Sequence, residues 1–193
     1  MALYHEEDRK RYHGIGTALI GKKLAEDTGL ADPSKLFYTG LIHDLGGVGL
    51  KHHIVHIALA DKDQRQSFSS SEMNQAQKHG PMGAKKLKDY GGFDWAIPIM
   101  RDHHERYDGS GYPKRLTGEE IPLSARISTI SDVYDALTSV RPYKEAWSHE
   151  RAVEEILTQK GTQFDPVLIE LFEEVEGDFQ KVKVALPDGG MVN

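Results

Sequence analysis

No cysteine occurs among the 193 residues, which excludes disulfides, thiolate-ligated zinc, iron–sulfur clusters and thiol nucleophiles. Long apolar runs are missing too. None approaches the roughly 18 residues that would read as a membrane span, and the opening MALYHEEDRKR lacks the apolar stretch of a signal peptide. A cytoplasmic protein is therefore expected. Positive charge is also in deficit: the formal charge is −6, so there is no general attraction for polymeric nucleic acid or anionic membrane, and any phosphate binding must be local. Repeats and low-complexity tracts are absent. What is present is 38% hydrophobic and 28% charged, the balance of a soluble domain with one substantial core. One total is unusual, the ten histidines.

The periodicity is helical almost throughout, which predicts an all-α fold. Ile15, Leu19, Ile20 and Leu24 predict a first amphipathic helix ending near Gly29. Asp32–Pro33 reads as an N-cap followed by proline at the first helical position, opening a helix to His43. Ser70 or Ser71 caps a helix reaching His79, Pro81 restarts one that stops at YGG, and residues 93–104 form another in which Pro98 is a kink or an early-turn residue. The clearest element is 122–139, where Leu123, Ile127, Ile130, Tyr134 and Leu137 form one buried stripe. Across from it lie Ala125, Ser128, Thr129, Asp132 and Ala136, small residues around one carboxylate, as close approach to a site or a tight helix contact requires. Ser148 and Asp165–Pro166 begin two further helices ending near Gly161 and Gly177. KVKVALPDGGMV alternates like a short strand with a turn, so a short C-terminal β-hairpin is expected, and residues 52–71 read as a long loop.

His43 and Asp44 are adjacent at a predicted helix end, and His103, His104 and Glu105 at another, with the turn-rich DGSGYP following at once. Neighbouring side chains on a helix diverge by about 100°, so such pairs converge only where the helix is ending. Imidazoles and a carboxylate contributed by separate helices are a usual way to build a di-metal site in a helical domain. Taken singly, each histidine reads more readily as a packed or surface residue than as a ligand.

Together they have a recognisable order. His13, HD at 43–44, His79 in HGPMGAKKL, HHERYDGSGYP at 103–113, IPLSARISTISDVYDALTSVRPYKEAWS at 121–148 and FDPVLIELF at 164–172 resemble the HD-GYP family, a subgroup of the HD-domain metal-dependent phosphohydrolases. The match is nearly residue for residue from 103 to 148 and poor over 45–75. The resemblance implies an HD-domain helical bundle over residues 1–180, with 181–193 as a tail or short hairpin. It also implies that His13, His43, Asp44 and Asp132 hold one metal and that His79, His103 and His104 hold a second, bridged by Asp44. Gly111 and Tyr112 of the GYP loop would shape the substrate cleft, Arg141 and Lys144 would contact substrate phosphates, and the loop could dock a signalling partner. The implied substrate is cyclic di-GMP, attacked by a hydroxide between the metals to give pGpG and then GMP. Five imidazoles and two carboxylates without sulfur favour iron or manganese over magnesium, with zinc left open.

Three positions depart from the family pattern. Gly47 stands where the family commonly has a lysine near the metal-bound phosphate, and Lys51 is a poor substitute, so weakened catalysis or affinity is expected. Arg9 stands where some members carry a glutamate for a third metal, so two metals are expected. Arg115 occupies a glycine position in GYPKRL. A slow or inactive domain acting as a dinucleotide receptor or interaction module is the alternative reading, and an HD phosphohydrolase for another nucleotide is a third. With the first implied ligand at position 13, no input domain is expected ahead of it; a stand-alone effector and an excised domain both fit.

Overall fold

A computed structural model describes residues 2–47, 69–140 and 145–184, with side chains from 13 to 182. Lys51, Arg141, Lys144 and nearly all of the expected 52–71 loop lie outside the described residues. Among the described residues eight α-helices follow in chain order: α1 Ala2–Thr28, α2 Pro33–Ile42, α3 Ser70–Ala76, α4 His79–Tyr90, α5 Ile97–Asp102, α6 Leu123–Thr138, α7 His149–Thr158 and α8 Pro166–Val184. Short 3-10 turns occupy Leu45–Gly47 and Gly118–Glu120, and the described residues contain only isolated β-bridges.

Local chemistry sets the helix ends. The Asp32 carboxylate accepts from the amides of Ser34 and Lys35, with Pro33 at the first helical position, so α2 starts where the sequence predicts. The cap of α3 is Ser69, one residue ahead of the expected serines, in a reciprocal capping box with Glu72. The helix does not run on to His79; it stops at Ala76, and α4 begins at His79 with Pro81 in its first turn, where a missing N–H costs nothing. Pro98 likewise lies in the first turn of α5.

Helix α6 is the spine. Its stripe residues Ile127, Ile130 and Tyr134 are fully buried, packed with Ile20 and Leu24 of α1, Ile156 of α7 and Phe172 and Phe179 of α8. Its small face is buried as well, at Ala125, Ser128, Thr129 and Asp132. A second apolar cluster, Ala84, Leu87, Ala96 and Met100, joins α4 to α5. Helix α1 packs on α2, α6 and α8, and the Leu45–Gly47 turn packs on α4. Thus the ends of α2, α4 and α5 meet the middle of α1 and α6.

The expected strand in KVKV is wrong over its described part. Helix α8 passes through Gly177 to Val184, because Phe179 is fully buried and Val182 packs on the same core. Burying one such aromatic contributes about 1.5–3 kcal/mol, more than the roughly 0.5–1 kcal/mol that a glycine costs inside a helix. The remaining residues of the expected hairpin lie outside the described residues. Among the described residues no helix is long and apolar enough to cross a membrane.

Candidate metal centre

Five elements bring the seven expected ligands together. His13 comes from the interior of α1, and Asp132 from the small face of α6. His43 is the C-cap of α2 and Asp44 follows it; His79 opens α4; His103 is the C-cap of α5 and His104 follows. Adjacent ligands thus sit only where a helix is ending, as the divergence of helical side chains requires.

Three of the imidazoles are oriented by the same device. His43 Nδ1 donates to the Gly40 carbonyl at 2.7 Å, His79 Nδ1 to Ala76 at 2.6 Å and His103 Nδ1 to Met100 at 2.9 Å. Each acceptor lies three residues back, among the last four carbonyls of a helix, which have no intrahelical partner. A carbonyl only accepts, so Nδ1 carries the proton and each Nε2 is turned inward. Thr129 Oγ1 donates to the His103 carbonyl at 2.8 Å, fixing that helix end against α6.

The inward atoms form two groups able to hold a cation, His13/His43/Asp132 and His79/His103/His104, each with its ligand atoms within 4.8 Å of one another. Asp44 lies between them. Its Oδ2 is 3.5 Å from His43 Nε2 and its Oδ1 is 3.3 Å from His79 Nε2. On the first side, Asp132 Oδ1 is 3.1 Å from His13 Nε2 and 3.5 Å from His43 Nε2. On the second, His79 Nε2 is 3.3 Å from His103 Nε2 and 3.0 Å from His104 Nε2.

The electrostatics fit divalent cations. Burial, then the neighbouring His79 and His43, pull His103 down to about 4. It is neutral near pH 7, with its single proton on Nδ1 and a bare lone pair aimed at His79. Two acceptor nitrogens at that distance repel unless a proton or a cation lies between them. Burial opposes charge at His43, yet Asp44 and Asp132 outweigh it and raise the ring to about 10. Burial likewise disfavours the two carboxylates, but His43 and His79 hold Asp44 low, and bonds from His13 and His43 hold Asp132 well below the usual carboxylate range. His43 Nε2 and Asp132 Oδ1 are buried and face each other at 3.5 Å without well-formed hydrogen-bond geometry. Such atoms are costly unless something else satisfies them. A mixed nitrogen and oxygen donor set lacking sulfur suits a first-row divalent metal.

The GYP loop forms one wall. Tyr112 stacks on His104 with ring centroids 4.9 Å apart, and its amide donates to the His104 carbonyl at 3.2 Å. Gly111 is buried, and a Cβ there would lie 2.3 Å from the Arg106 amide nitrogen, so only glycine lets the loop lie against the end of α5. Glu105, quoted in the sequence motif without a role, anchors this loop. Its carboxylate is buried and accepts from the amides of Lys114 at 2.6 Å and Leu116 at 3.1 Å. Asp135 is a second carboxylate that sequence reading passed over; it is fully buried, with Oδ2 at 2.6 Å from His13 Nδ1. The only sequence signal for it is its place three residues after Asp132, on the same side of the helix.

Comparison with known proteins bears on the family and the fold. Residues 7–168 match the family model of the HD domain. The 3'3'-cGAMP-specific phosphodiesterase 2 of Vibrio cholerae serotype O1 is 37% identical over 91% of this chain and 33% of its own length. The cyclic di-GMP phosphodiesterase response regulator RpfG of Xanthomonas campestris pv. campestris is 39% identical over 65% of this chain and 32% of its own. The chain therefore spans about a third of these relatives. The fold resembles the crystal structure of the cyclic GMP-AMP specific phosphodiesterase V-cGAP3 of V. cholerae, with a TM-score of 0.64 and 20% identity over 95% of this chain and 53% of that one. With its matched length, helical architecture and HHERYDGSGYP motif, the chain belongs to the HD-domain family and carries the HD-GYP signature.

Proposed function

We propose that this domain is a metal-dependent phosphodiesterase that hydrolyses cyclic di-GMP to pGpG and then to GMP. In this reading His13, His43, Asp44 and Asp132 would hold one divalent cation and His79, His103 and His104 the other, with Asp44 shared between the two. Iron or manganese fits the donor set better than magnesium, which prefers oxygen shells. The observation that carries the reading is Asp44, whose two oxygens face the two groups separately. When bound, the cations supply Lewis acidity, neutralising phosphoryl oxygens and acidifying water.

The chain's own residues supply the rest. Gly111 and Tyr112 would wall the substrate cleft beside His104, with the Tyr112 ring stacked on that imidazole. Arg141 and Lys144, which follow α6 in the sequence, would offer a planar fork and a point charge to substrate phosphate oxygens. The relatives named for cyclic di-GMP and for 3'3'-cGAMP act on the same ligand class, two nucleotides closed by two phosphodiesters. A signalling-protein partner would dock on the exposed side of the GYP loop.

Gly47, where the family pattern has lysine, favours a second reading, a metal-loaded receptor that binds the dinucleotide and turns it over slowly. The deciding experiment is hydrolysis of cyclic di-GMP and of 3'3'-cGAMP by protein loaded anaerobically with Fe(II) or Mn(II), beside an Asp44→Ala control. Metal-dependent release of pGpG, lost in the control, supports the enzyme. Faster loss of 3'3'-cGAMP reassigns the substrate within the class. Binding of metal and dinucleotide with no product selects the receptor.

A further inference from the structure

Helix-end histidines can borrow an orphan carbonyl to hold their rings; a histidine in the middle of a helix cannot. His43, His79 and His103 each use a carbonyl three residues back at a helix end. His13 sits inside α1, which runs from Ala2 to Thr28, where every nearby carbonyl is already committed to the helix. Its Nδ1 needs an acceptor from another element, and α6 supplies one: Asp135 Oδ2, at 2.6 Å.

The packing shows that this contact is built into the helix crossing. Gly16 lies on α1 almost one turn beyond His13, and a Cβ there would be 1.9 Å from Asp135 Oδ1 and 2.6 Å from its Cγ. The carboxylate fills the volume that a side chain on α1 would need. Ser139, one turn further along α6, donates from Oγ to Oδ2 at 3.3 Å. Asp135 is fully buried, and a carboxylate in such a place is retained only where it is paired and hydrogen-bonded.

A carboxylate does more than a carbonyl. Accepting the Nδ1 proton fixes the tautomer of His13, points Nε2 at Asp132 Oδ1 3.1 Å away, and raises the basicity of the ring as a ligand. The two groups are then unequal. The first contains Asp132 and is backed by Asp135; the second consists of three imidazoles, of which His79 and His103 are oriented by backbone carbonyls. Resting on the two-cation reading above, we infer that Asp135 is a positioning residue that makes His13/His43/Asp132 the tighter cation site, so that the two sites fill in order.

Titration of the metal-free full chain with Mn(II), followed by calorimetry and by Mn(II) electron paramagnetic resonance, tests this. The wild type is expected to show two classes of site. In Asp135→Ala the tight class weakens by about 10–100-fold, the usual cost of removing a histidine's outer carboxylate, and the weaker class keeps its affinity. Asp135→Asn, near-isosteric, restores part of the loss because its amide carbonyl still accepts from Nδ1; it also decides the matter if the alanine variant does not fold. Gly16→Ala, which drives a methyl into the carboxylate, is expected to weaken the same class. Wild-type affinities at both sites in Asp135→Asn and Asp135→Ala would overturn the inference, as would two equal sites in the wild type. Absence of any Mn(II) binding by the folded wild type would instead overturn the metal reading on which the inference stands.

Discussion

His79 and His103 face each other through their Nε2 atoms at 3.3 Å, each with Nδ1 tied to a carbonyl at a helix end. A cation held between the two nitrogens would satisfy both lone pairs.

Metal is therefore expected to stabilise the fold. A ligand that binds only the native state contributes about 2.7 kcal/mol at a concentration 100 times its Kd, and a domain of this size gains roughly 2–4 °C per kcal/mol. Mn(II) in that excess should raise Tm by roughly 5–10 °C over chelated protein in a thermal melt. The gain should grow as pH rises toward about 10 and shrink as pH falls, because His43, raised to about 10 by Asp44 and Asp132, holds a proton below that value which the cation must displace. A Tm indifferent to Mn(II) would count against the site.

Arg115 is the one described non-glycine residue with positive φ, at 58°. It stands where the family pattern places glycine, and its side chain is exposed. A left-handed conformation costs a residue with a Cβ roughly 1–2 kcal/mol, and glycine adopts it freely. Arg115→Gly should therefore stabilise the domain by about 1 kcal/mol after the added freedom of the unfolded glycine is counted. Chemical denaturation measures this, and a loss of stability would show that the arginine makes a compensating contact.

Glu105 is buried beside the candidate ligands yet bonds the loop and not the centre. Glu105→Ala should cost about 2–3 kcal/mol, since two amides lose a charged acceptor, and should raise KM for the dinucleotide. Metal content should stay at the wild-type level. Loss of metal in the folded variant would instead make Glu105 a ligand.

Gly47 is buried in the turn that follows Asp44. If the family lysine contributes one phosphate contact, Gly47→Lys should raise turnover of cyclic di-GMP by about tenfold, equivalent to about 1.4 kcal/mol of barrier. Unchanged turnover at unchanged stability would mean that another cation already fills that role.

Much of this was legible beforehand, for reasons visible in particular residues. The 3.6-residue stripe of α6 and the Asp32–Pro33 cap are local signals, and local signals survive tertiary packing. The break between α3 and α4 was missed because Pro81 was read as a helix start, although a first-turn proline also permits a start two residues earlier. KVKV alternates as a strand does, and it is the burial of Phe179 and the packing of Val182 that continue the helix through it. The ligand histidines were found through their order in the family motif. Asp135 was passed over because a sequence does not say which carboxylate meets which imidazole across 122 positions.

The most direct measurement is stepwise loading. Metal-free protein would receive Mn(II) in increments up to and beyond two equivalents, with loss of cyclic di-GMP followed at each ratio. Turnover that stays near zero through the first equivalent and rises across the second is what a site bridged by Asp44 predicts. Full turnover at one equivalent, or none at any ratio with both ions bound, would contradict it.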